Sequence, residues 1–339
     1  MRSLQPCKSK LAPSDNSYTI LRNWEGVNAP QPAVEKCAAK SRRRGSTWED
    51  LLDLASIETP LRQAIGRHAT VEDFTAPNLV ARLAATLEVD APRLGETLPP
   101  GWHMIFCLET PSRSELDVDG LPRGFKLIPP VDMPRRMFGG ARLTFHAPLI
   151  VGEPIRCESE LSDAKVRSTA SAHLAIATLR HRFYGARGLA VTEEQDIVHL
   201  APIDGAPEKV AAPAGPGPTA VWQRDIVPDE IMLFRFSALT FNSHRIHYDK
   251  PYATDAERLP NLVVQGKLIA LHLFELVRRF APEAAVTQFE YRSTRPLYAG
   301  ARCTLAGSPS GQDVRLWAQN AEAKIVQSAS IKLATPGRS

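Results

Sequence analysis

The 339-residue chain has no apolar run near the roughly 18 residues of a membrane span, and its N-terminus has no apolar core of a secretory signal. It also lacks the Gly-x-Gly-x-x-Gly pattern of dinucleotide-binding loops and the Gly-x4-Gly-Lys-Ser/Thr pattern of phosphate-binding loops. We therefore expect no membrane partner and no bound nucleotide, flavin or metal cofactor.

Paired cysteine spacing is also missing. The odd number of cysteines and their wide separation fit free thiols in a reducing compartment: they are Cys7, Cys37, Cys107, Cys157 and Cys303. We expect a cytoplasmic protein, with the mitochondrial matrix as the alternative.

An excess of positive charge is confined to the N-terminus. Residues 1–44 hold nine Lys or Arg against three acids, a net of +6, so the chain's total of +4 leaves the remainder at about −2. This balance argues against a nucleic-acid partner. Residues 1–45 are predicted to be a disordered basic extension. A transit peptide or a start-site artefact are the alternatives.

The rest of the chain, at 43% apolar and 23% charged residues, predicts two globular domains. They are expected at 46–205 and 222–336, with a Pro, Ala and Gly linker at 206–221. The first domain opens with a capping box, Ser46 and Glu49, for a short helix through Leu54. Helical spacing follows at Pro77 to Leu87, and strand-like alternation follows at 142–146, 172–181 and 197–198. In the second domain a helix is predicted from Gly266, followed by strands at 286–295, 302–305, 314–319 and 324–333.

An internal repeat supports a duplicated unit. Pro148-Leu149-x-x-Gly152 matches Pro296-Leu297-x-x-Gly300 at an offset of 148 residues, and both copies lie between two predicted strands. A Pro that closes a strand and a Gly that turns into the next are hairpin devices. The fold class predicted is α+β, an antiparallel sheet around a central helix, present twice and paired edge to edge.

The densest group of chemically active residues lies between Phe234 and Ala253. Within it, Asn242, His244 and His247 fall in six residues, beside Arg245 and Asp249, with aromatic and aliphatic flanks. An imidazole in a partly dry cleft can act as an acid or base near neutral pH. Two alternatives stay open: His244 and His247 as metal ligands, or a helix-capping turn whose histidines satisfy buried backbone groups.

Asn242 through His247 resembles the hydratase motif of the MaoC-like, hot-dog-fold enoyl-thioester hydratases and dehydratases, in which an Asp and a His five residues apart face the acyl chain. The run 240–249 is similar to the branch of mesaconyl-C4-CoA (3-methylfumaryl-CoA) hydratases and type 2 hydroxyacyl-thioester dehydratases. The wider family usually has Asp at position 242 and Asn-Pro in place of His244-Arg245. In the first domain, Trp102-His103, 134–137 and 191–196 resemble the FAS1-like dehydratase half of that branch.

The resemblance implies a double hot dog with one active site per chain, because the first domain has no counterpart of the Asn-x4-His motif. It implies that His247 is the acid/base group and that Asn242 holds the water. Backbone N–H groups at Gln265 and Gly266 would stabilise the thioester oxygen. Candidates for substrate carboxylate or CoA phosphate are Arg245, Arg135 and Arg136, and supporting positions are His244, Tyr248 and Asp249. For Arg245, a salt bridge to Asp249 is the alternative. His146, His173 and His181 are expected to be structural.

The function that follows is reversible hydration of a short, branched or dicarboxylic enoyl-CoA, with mesaconyl-C4-CoA to citramalyl-CoA as the leading reaction. Itaconyl-CoA hydratase and 3-hydroxyacyl-ACP dehydratase are alternatives within the class, and an acyl-CoA thioesterase or a non-catalytic acyl-thioester binder are alternatives outside it. No cofactor is expected other than the CoA of the substrate, and a homodimer of double hot dogs is the assembly considered.

Overall fold

The computed structural model describes residues 53–124, 126–133, 135–168, 172–202 and 219–334. The predicted N-terminal extension, the Ser46–Glu49 capping box and nearly all of the predicted linker lie outside these ranges. The proposed domain boundaries stay predictions for the same reason.

The described chain contains helices α1 (Leu54–Gln63), α2 (Pro77–Leu87), α3 (Glu230–Leu239) and α4 (Gly266–Phe280). The strands of the first half are β1 (His68–Phe74), β2 (Arg135–Phe145), β3 (Pro154–Ser168), β4 (Ala172–Gly185) and β5 (Gly188–Pro202). Those of the second half are β6 (Trp222–Ile226), β7 (Ala285–Ser293), β8 (Cys303–Ser310), β9 (Asp313–Asn320) and β10 (Ile325–Ala334).

All ten strands form one antiparallel sheet in the order β1-β3-β4-β5-β2-β7-β10-β9-β8-β6. The halves meet at β2 and β7, where Ala141 lies opposite Tyr291 and Leu143 opposite Phe289. Each half thereby hides one of its edge strands, which confirms the predicted edge-to-edge pairing.

Helix α4 is the central helix of the second half. It begins at Gly266, as the sequence predicts, and every residue from Leu268 to Val277 is buried. A helix that is covered all round is mostly apolar on all faces, and its sequence supplies Leu, Ile, Ala and Phe, with His272 and Glu275 as the polar residues buried among them. Arg278 and Arg279 lie in its last turn, where positive charge favours the helix dipole.

The repeated Pro-Leu-x-x-Gly occupies equivalent places in both halves. Gly152 and Gly300 adopt left-handed φ of 88° and 77° at the corners after β2 and β7. In the first half the N–H of Leu98 donates to the carbonyl of Leu149 over 2.8 Å, and in the second the N–H of Val264 donates to that of Leu297 over 2.8 Å. The segments at Leu98 and Val264, which lead to the centre of each half, are therefore held by equivalent backbone hydrogen bonds.

After Leu98 and Val264 the two halves differ, although the sequence analysis predicted a central helix in each. The second half continues into the 15-residue α4, whereas the first has only one 3-10 turn, Trp102–Ile105, whose four side chains are buried. A Cβ on Gly101 would lie 2.7 Å from Cδ2 of Phe274. The first half therefore packs its shortened turn directly against α4, and the two halves share one apolar core.

Candidate active site

The polar stretch 242–249 follows the C-terminus of α3 as a tight loop. Phe241 has a left-handed φ of 49°, and the N–H of Asn242 donates to the carbonyl of Ser237 over 2.9 Å. Oδ1 of Asn242 accepts a hydrogen bond from the N–H of His244 over 3.1 Å. This Asx-type turn leads into the 3-10 turn Arg245–His247.

His247 is buried, with 8% of its surface exposed. Its Nδ1 lies 2.7 Å from the carbonyl oxygen of Val263. Because a carbonyl only accepts, Nδ1 carries the proton and Nε2 keeps its lone pair. Burial and the neighbouring His244 lower the pKa of His247 to about 3, although the Val263 carbonyl opposes the shift. The ring is therefore a neutral base at neutral pH.

His244 packs edge-on against His247, with ring centroids 5.4 Å apart. Burial, and then the charge of Arg136, lower the pKa of His244 to about 4. Two neutral imidazoles side by side avoid the repulsion that two cations would have.

The start of α4 is tied to the same loop. The N–H of Val263 donates to the carbonyl of Ile246 over 2.9 Å, so the strand that accepts from His247 leads directly to Gln265 and Gly266. The first N–H groups of a helix have no acceptor within it and carry the positive end of its dipole. The segment that binds the His247 ring therefore leads into the first N–H groups of α4 within three residues.

The side chain of Gln265 forms structural hydrogen bonds. Its Nε2 donates to the carbonyl of Leu233 and to Oγ of Ser237 over 3.0 and 2.9 Å. The carbonyl of Gly266 accepts from Nε2 of Gln327 over 2.9 Å. These bonds fix the N-terminus of α4 against α3 and β10.

A loop of the first half docks on this site, and the sequence alone does not predict this contact. Oγ of Ser243 donates to the carbonyl of Gly120 over 2.5 Å, and the N–H of Arg245 donates to that of Asp119 over 2.8 Å. Gly120 has φ +85°, and a Cβ there would lie 1.9 Å from the carbonyl oxygen of Ser243. Only glycine fits so close a backbone approach. The turn residues Asp117-Val118-Asp119-Gly120 were the available signal, but nothing in the sequence indicates their partner.

Arg245 is held by its own loop. Its Nε and Nη2 donate to Oδ2 of Asp249 over 3.0 and 2.8 Å, and Nη1 donates to the carbonyl of Val118 over 3.0 Å. The guanidinium also stacks 4.0 Å from the ring centre of Tyr252. The salt bridge that the sequence offered as the alternative role is therefore present.

Arg135 and Arg136 point to opposite faces of β2, as neighbours in a strand do. Arg135 is exposed, whereas Arg136 is partly buried and donates from Nη1 to the carbonyl of Pro122 over 3.0 Å. The charge of Arg136 contributes to lowering the pKa of His244, after burial. A role for Arg135 or Arg136 in binding the substrate stays a prediction.

A groove of about 370 Å³ leads to the amide of Asn242. It runs between α3 and the segment after Pro111, and Tyr248 borders it while donating from its hydroxyl to the carbonyl of Ser243 over 3.0 Å. The groove gives a ligand access to the Asn242 side of the loop. His247 does not line the groove.

The three histidines expected to be structural have local partners. His146, His173 and His181 lie 3.0, 2.9 and 2.7 Å from the hydroxyl oxygens of Thr192, Ser168 and Ser159, respectively. Within the described ranges no three His, Cys, Asp or Glu side chains gather as a metal site. None of the helices in this part of the chain is long and apolar enough to cross a bilayer.

Comparison with known proteins agrees with this architecture. The family model of hydroxyacyl-thioester dehydratase type 2 matches residues 101–299. Mesaconyl-C(4)-CoA hydratase of Chloroflexus aurantiacus is 42% identical over 272 residues, which cover 79% of this chain and 96% of the relative. The mitochondrial hydroxyacyl-thioester dehydratase type 2 of Schizosaccharomyces pombe is 27% identical, over 73% of this chain and 91% of the relative.

Two solved structures confirm the predicted fold. A MaoC-like dehydratase superposes with a TM-score of 0.60 at 16% identity, over 80% of this chain and 99% of its own. A Mycobacterium tuberculosis protein described as a double hotdog fold gives a TM-score of 0.52 at 14% identity, over 79% and 96%. The α+β double hot dog expected from the sequence is the fold observed.

Proposed function

The chain belongs to the hydroxyacyl-thioester dehydratase type 2 family of hydro-lyases, and we propose that it hydrates a short, branched enoyl-CoA that carries a second carboxyl group. The reaction proposed is the reversible conversion of mesaconyl-C4-CoA (3-methylfumaryl-CoA) to citramalyl-CoA. The relative with 42% identity bears the name of that hydratase. The observation that carries the proposal is the neutral His247, fixed through Nδ1 on the Val263 carbonyl beside the N-terminus of α4.

The proposed mechanism needs one base, one side chain that holds the reacting water, and one group of donors for the oxyanion. Nε2 of His247 takes a proton from a water molecule, whose oxygen bonds to the β-carbon of the enoyl group. The imidazolium then gives that proton to the α-carbon, so that H and OH are added across the double bond and the enzyme returns to its starting state. No redox or metal cofactor takes part in this balance.

Asn242 and Gly266 have supporting roles in this proposal. The amide of Asn242 can donate to or accept from the water but cannot take its proton, which leaves the transfer to His247. The N–H groups at Gln265 and Gly266 would receive the thioester oxygen as it gains negative charge. A single imidazole thus serves where the wider family has an aspartate as well.

Two reactions of the same class compete with this one. Itaconyl-CoA hydration differs only in the position of the double bond, and 3-hydroxyacyl-ACP dehydration is favoured by the 27% identity with a hydroxyacyl-thioester dehydratase. From a different class, thioester hydrolysis would release free CoA thiol.

A substrate panel separates these candidates. We expect the purified protein to remove the absorbance of conjugated mesaconyl-C4-CoA without releasing thiol, and mass spectrometry to show one added water. Faster turnover of itaconyl-CoA or of an acyl-ACP would reassign the substrate, and thiol release would reassign the reaction to hydrolysis.

The proposed assembly is a homodimer of double hot dogs acting in the cytoplasm. Two exposed apolar residues at the start of α3 that do not line the groove support a contact between copies, namely Val227 and Ile231, which are 54% and 64% exposed. Analytical ultracentrifugation of the protein and of Ile231→Asp tests it, since the variant should then be a monomer. A wild-type protein that sediments as a monomer would contradict the proposed dimer.

A further inference from the structure

The groove that leads to Asn242 has mainly apolar walls. Helix α3 provides one wall and the segment after Pro111 provides the other, and the aliphatic and aromatic residues that line it are Pro111, Leu116, Phe234, Ala238, Phe241 and Tyr248. Phe234 and Phe241 are 63% and 56% exposed, so part of this apolar surface is open to solvent. Such a surface favours a ligand that covers it.

Arg113 is the only charged residue among the described residues that line this groove. Its side chain is exposed, and within the described chain its guanidinium has no hydrogen-bond or salt-bridge partner. The acid nearest to it in sequence, Glu115, is bound elsewhere, because its Oε2 accepts from the N–H and the Oγ of Ser112 over 2.6 and 2.7 Å. The groove therefore combines apolar walls with one positive charge that can bind an anion.

The backbone of Arg113 is fixed on the loop that docks on the candidate site. Arg113 begins the 3-10 turn Arg113–Glu115, which a capping box formed by Ser112 and Glu115 holds. The N–H of Arg123 donates to the carbonyl of Glu115 over 3.0 Å and closes the loop that also presents Gly120 to Ser243. Hydrogen bonds thus set the position of this turn relative to the 242–249 loop.

Asn242 marks the reacting end of the groove in the proposed function, on which this inference rests. Its Oδ1 accepts from the N–H of His244, whereas its Nδ2 has no hydrogen-bond partner among the described residues. Because Asn242 is proposed to hold the reacting water, the acyl group must lie at this end of the groove. The remainder of the thioester must then extend away from Asn242 along the groove.

The part of a CoA thioester that follows the acyl group is the pantetheine arm, a narrow chain with methylene and methyl groups that ends in a phosphate. The groove volume of about 370 Å³ is near the lower end of the range of roughly 300–1,000 Å³ found for small-molecule sites. This volume suits the arm and leaves the larger nucleotide in solvent. Arginine binds phosphate oxygens through charge-assisted, bidentate hydrogen bonds.

We propose that the groove between α3 and the segment 111–116 holds the pantetheine arm of the substrate, and that Arg113 binds the phosphate at the end of this arm. Arg113 thereby recognises the carrier of the acyl group, whereas Asn242 and His247 act on the acyl group itself.

Three saturated thioesters, which cannot be hydrated, measure this contact without turnover. Succinyl-pantetheine has no phosphate, succinyl-phosphopantetheine has the phosphate that ends the arm, and succinyl-CoA has the nucleotide as well. Calorimetric titration of the full-length protein should show that each phosphorylated thioester binds about 10-fold more tightly than succinyl-pantetheine. This is the lower value expected for charge-assisted hydrogen bonds, since Arg113 is exposed.

Variants of Arg113 then locate the preference. In Arg113→Gln both phosphorylated thioesters should bind about 10-fold more weakly, whereas succinyl-pantetheine should bind as it does to the wild-type protein. Arg113→Lys keeps the charge but not the bidentate geometry, so it should keep part of the preference. Arg315→Gln, which removes an exposed charge on β9, is the control and should keep all of it.

A second pair of variants tests the groove itself. Ala238 is exposed on α3 and lines the groove, so Ala238→Trp should fill the groove and weaken the binding of all three thioesters by a similar factor. Ala85→Trp places the same side chain at an exposed position of α2 that does not line the groove, and it should leave all three affinities unchanged. Thermal melts establish that each variant is folded.

The outcomes separate this inference from the proposed function, because the enzyme turns over none of the three thioesters. Loss of the phosphate preference in Arg113→Gln supports the inference even if the wild-type protein does not hydrate mesaconyl-C4-CoA. If the wild-type protein hydrates mesaconyl-C4-CoA but Arg113→Gln keeps the full preference, the function stands and the role of Arg113 is wrong.

Two further results would overturn the inference. A loss in Arg113→Gln that is limited to succinyl-CoA would assign the arginine to the nucleotide and not to the phosphate of the arm. If Ala238→Trp changed the sedimentation of the protein but no thioester affinity, the groove would be a contact between copies of the chain.

Discussion

Equivalent backbone hydrogen bonds hold one segment of each half, but the structure that follows this segment differs between the halves. Leu98 and Val264 make matching backbone bonds to Leu149 and Leu297, and Gly152 and Gly300 turn with similar backbone angles. From there the second half extends a long helix that begins three residues after Val263, whose carbonyl binds His247, whereas the first half has one 3-10 turn at this place. The comparison shows that the framework of a hot dog survives without its central helix when a neighbouring helix fills the space.

The first half has no central helix, but one of its loops packs against the candidate site. Its loop at Val118, Asp119 and Gly120 supports the 242–249 loop through three hydrogen bonds. In the proposed function the second half supplies the acid/base chemistry, and the first half supports the loop that carries it. The following variants test this division, from the largest expected effect to the smallest.

Replacing His247 by Ala should lower kcat/KM about 1000-fold, because a positioned general base contributes roughly this much. The matched change in the first half, His146→Ala, should alter it less than about 3-fold, since the ring of His146 bonds to the side chain of Thr192 in the first half. Initial rates of enoyl absorbance loss measure both. Equal losses of kcat/KM in the two variants would contradict the assignment of catalysis to the second half.

Asn242→Ala should lower kcat/KM about 100-fold, because it removes both the amide proposed to hold water and the acceptor for the N–H of His244. Asn242→Asp keeps that acceptor and should retain more activity than the alanine variant. The same assay compares them, and an alanine variant as active as the aspartate variant would argue against a role for the side chain.

Gly120→Ala should separate the two halves at their contact and lower kcat/KM about 10-fold, since overpacking forces backbone shifts that cost about 1–3 kcal/mol. The control is Gly188→Ala, which has a similar φ of +93° but no atom within 4 Å of the added Cβ. It should lose stability through backbone strain alone and keep its activity. If both variants kept full activity, the loop contact would have no catalytic importance.

Trp102→Phe should change stability rather than turnover. Nε1 of Trp102 donates to Oε1 of the buried Glu275 in α4 over 3.1 Å, and losing a bond to a buried carboxylate costs about 1–3 kcal/mol. Urea unfolding measures the loss, with Trp222→Phe as the comparison. Trp222 stacks on Phe280 near the molecular surface, so a larger loss at Trp222 would contradict the importance assigned to the contact between halves.

Local patterns predicted the local structure well. Pro77 to Leu87 and the start at Gly266 were identified from apolar spacing and from proline and glycine positions. Helix α1 was not, because Pro60 lies within it, and α3 was not, because Ile231 and Phe234 are exposed while Leu233 and Phe236 are buried. Helix α3 shows no apolar stripe of the kind on which such predictions depend. Helix α1 does have one, in Leu54, Ile57 and Leu61, but Pro60 interrupts the pattern in the sequence.

The site was predicted only as far as it is continuous in sequence. Asn242, His244 and His247 lie within six residues, and the four-residue spacing of Arg245 and Asp249 made their salt bridge foreseeable. The contacts of Gly120 with Ser243 and of Arg136 with the Pro122 carbonyl join residues far apart in the chain or depend on strand register. No local pattern encodes such contacts, because they depend on how the two halves meet.

The most direct test of the central claim is the pH dependence of kcat/KM for mesaconyl-C4-CoA between about pH 5 and pH 8. An ordinary histidine titrates near 6.5, whereas burial and His244 lower the pKa of His247 to about 3. The folded protein loses stability as the pH falls below 6.5, because the unfolded chain binds protons that the buried rings exclude, so circular dichroism must confirm folding at each pH. A profile that stays level down to about pH 5 is the result predicted for a neutral, buried base in the second half. An acid limb with an apparent pKa near 6.5 in folded protein would contradict it.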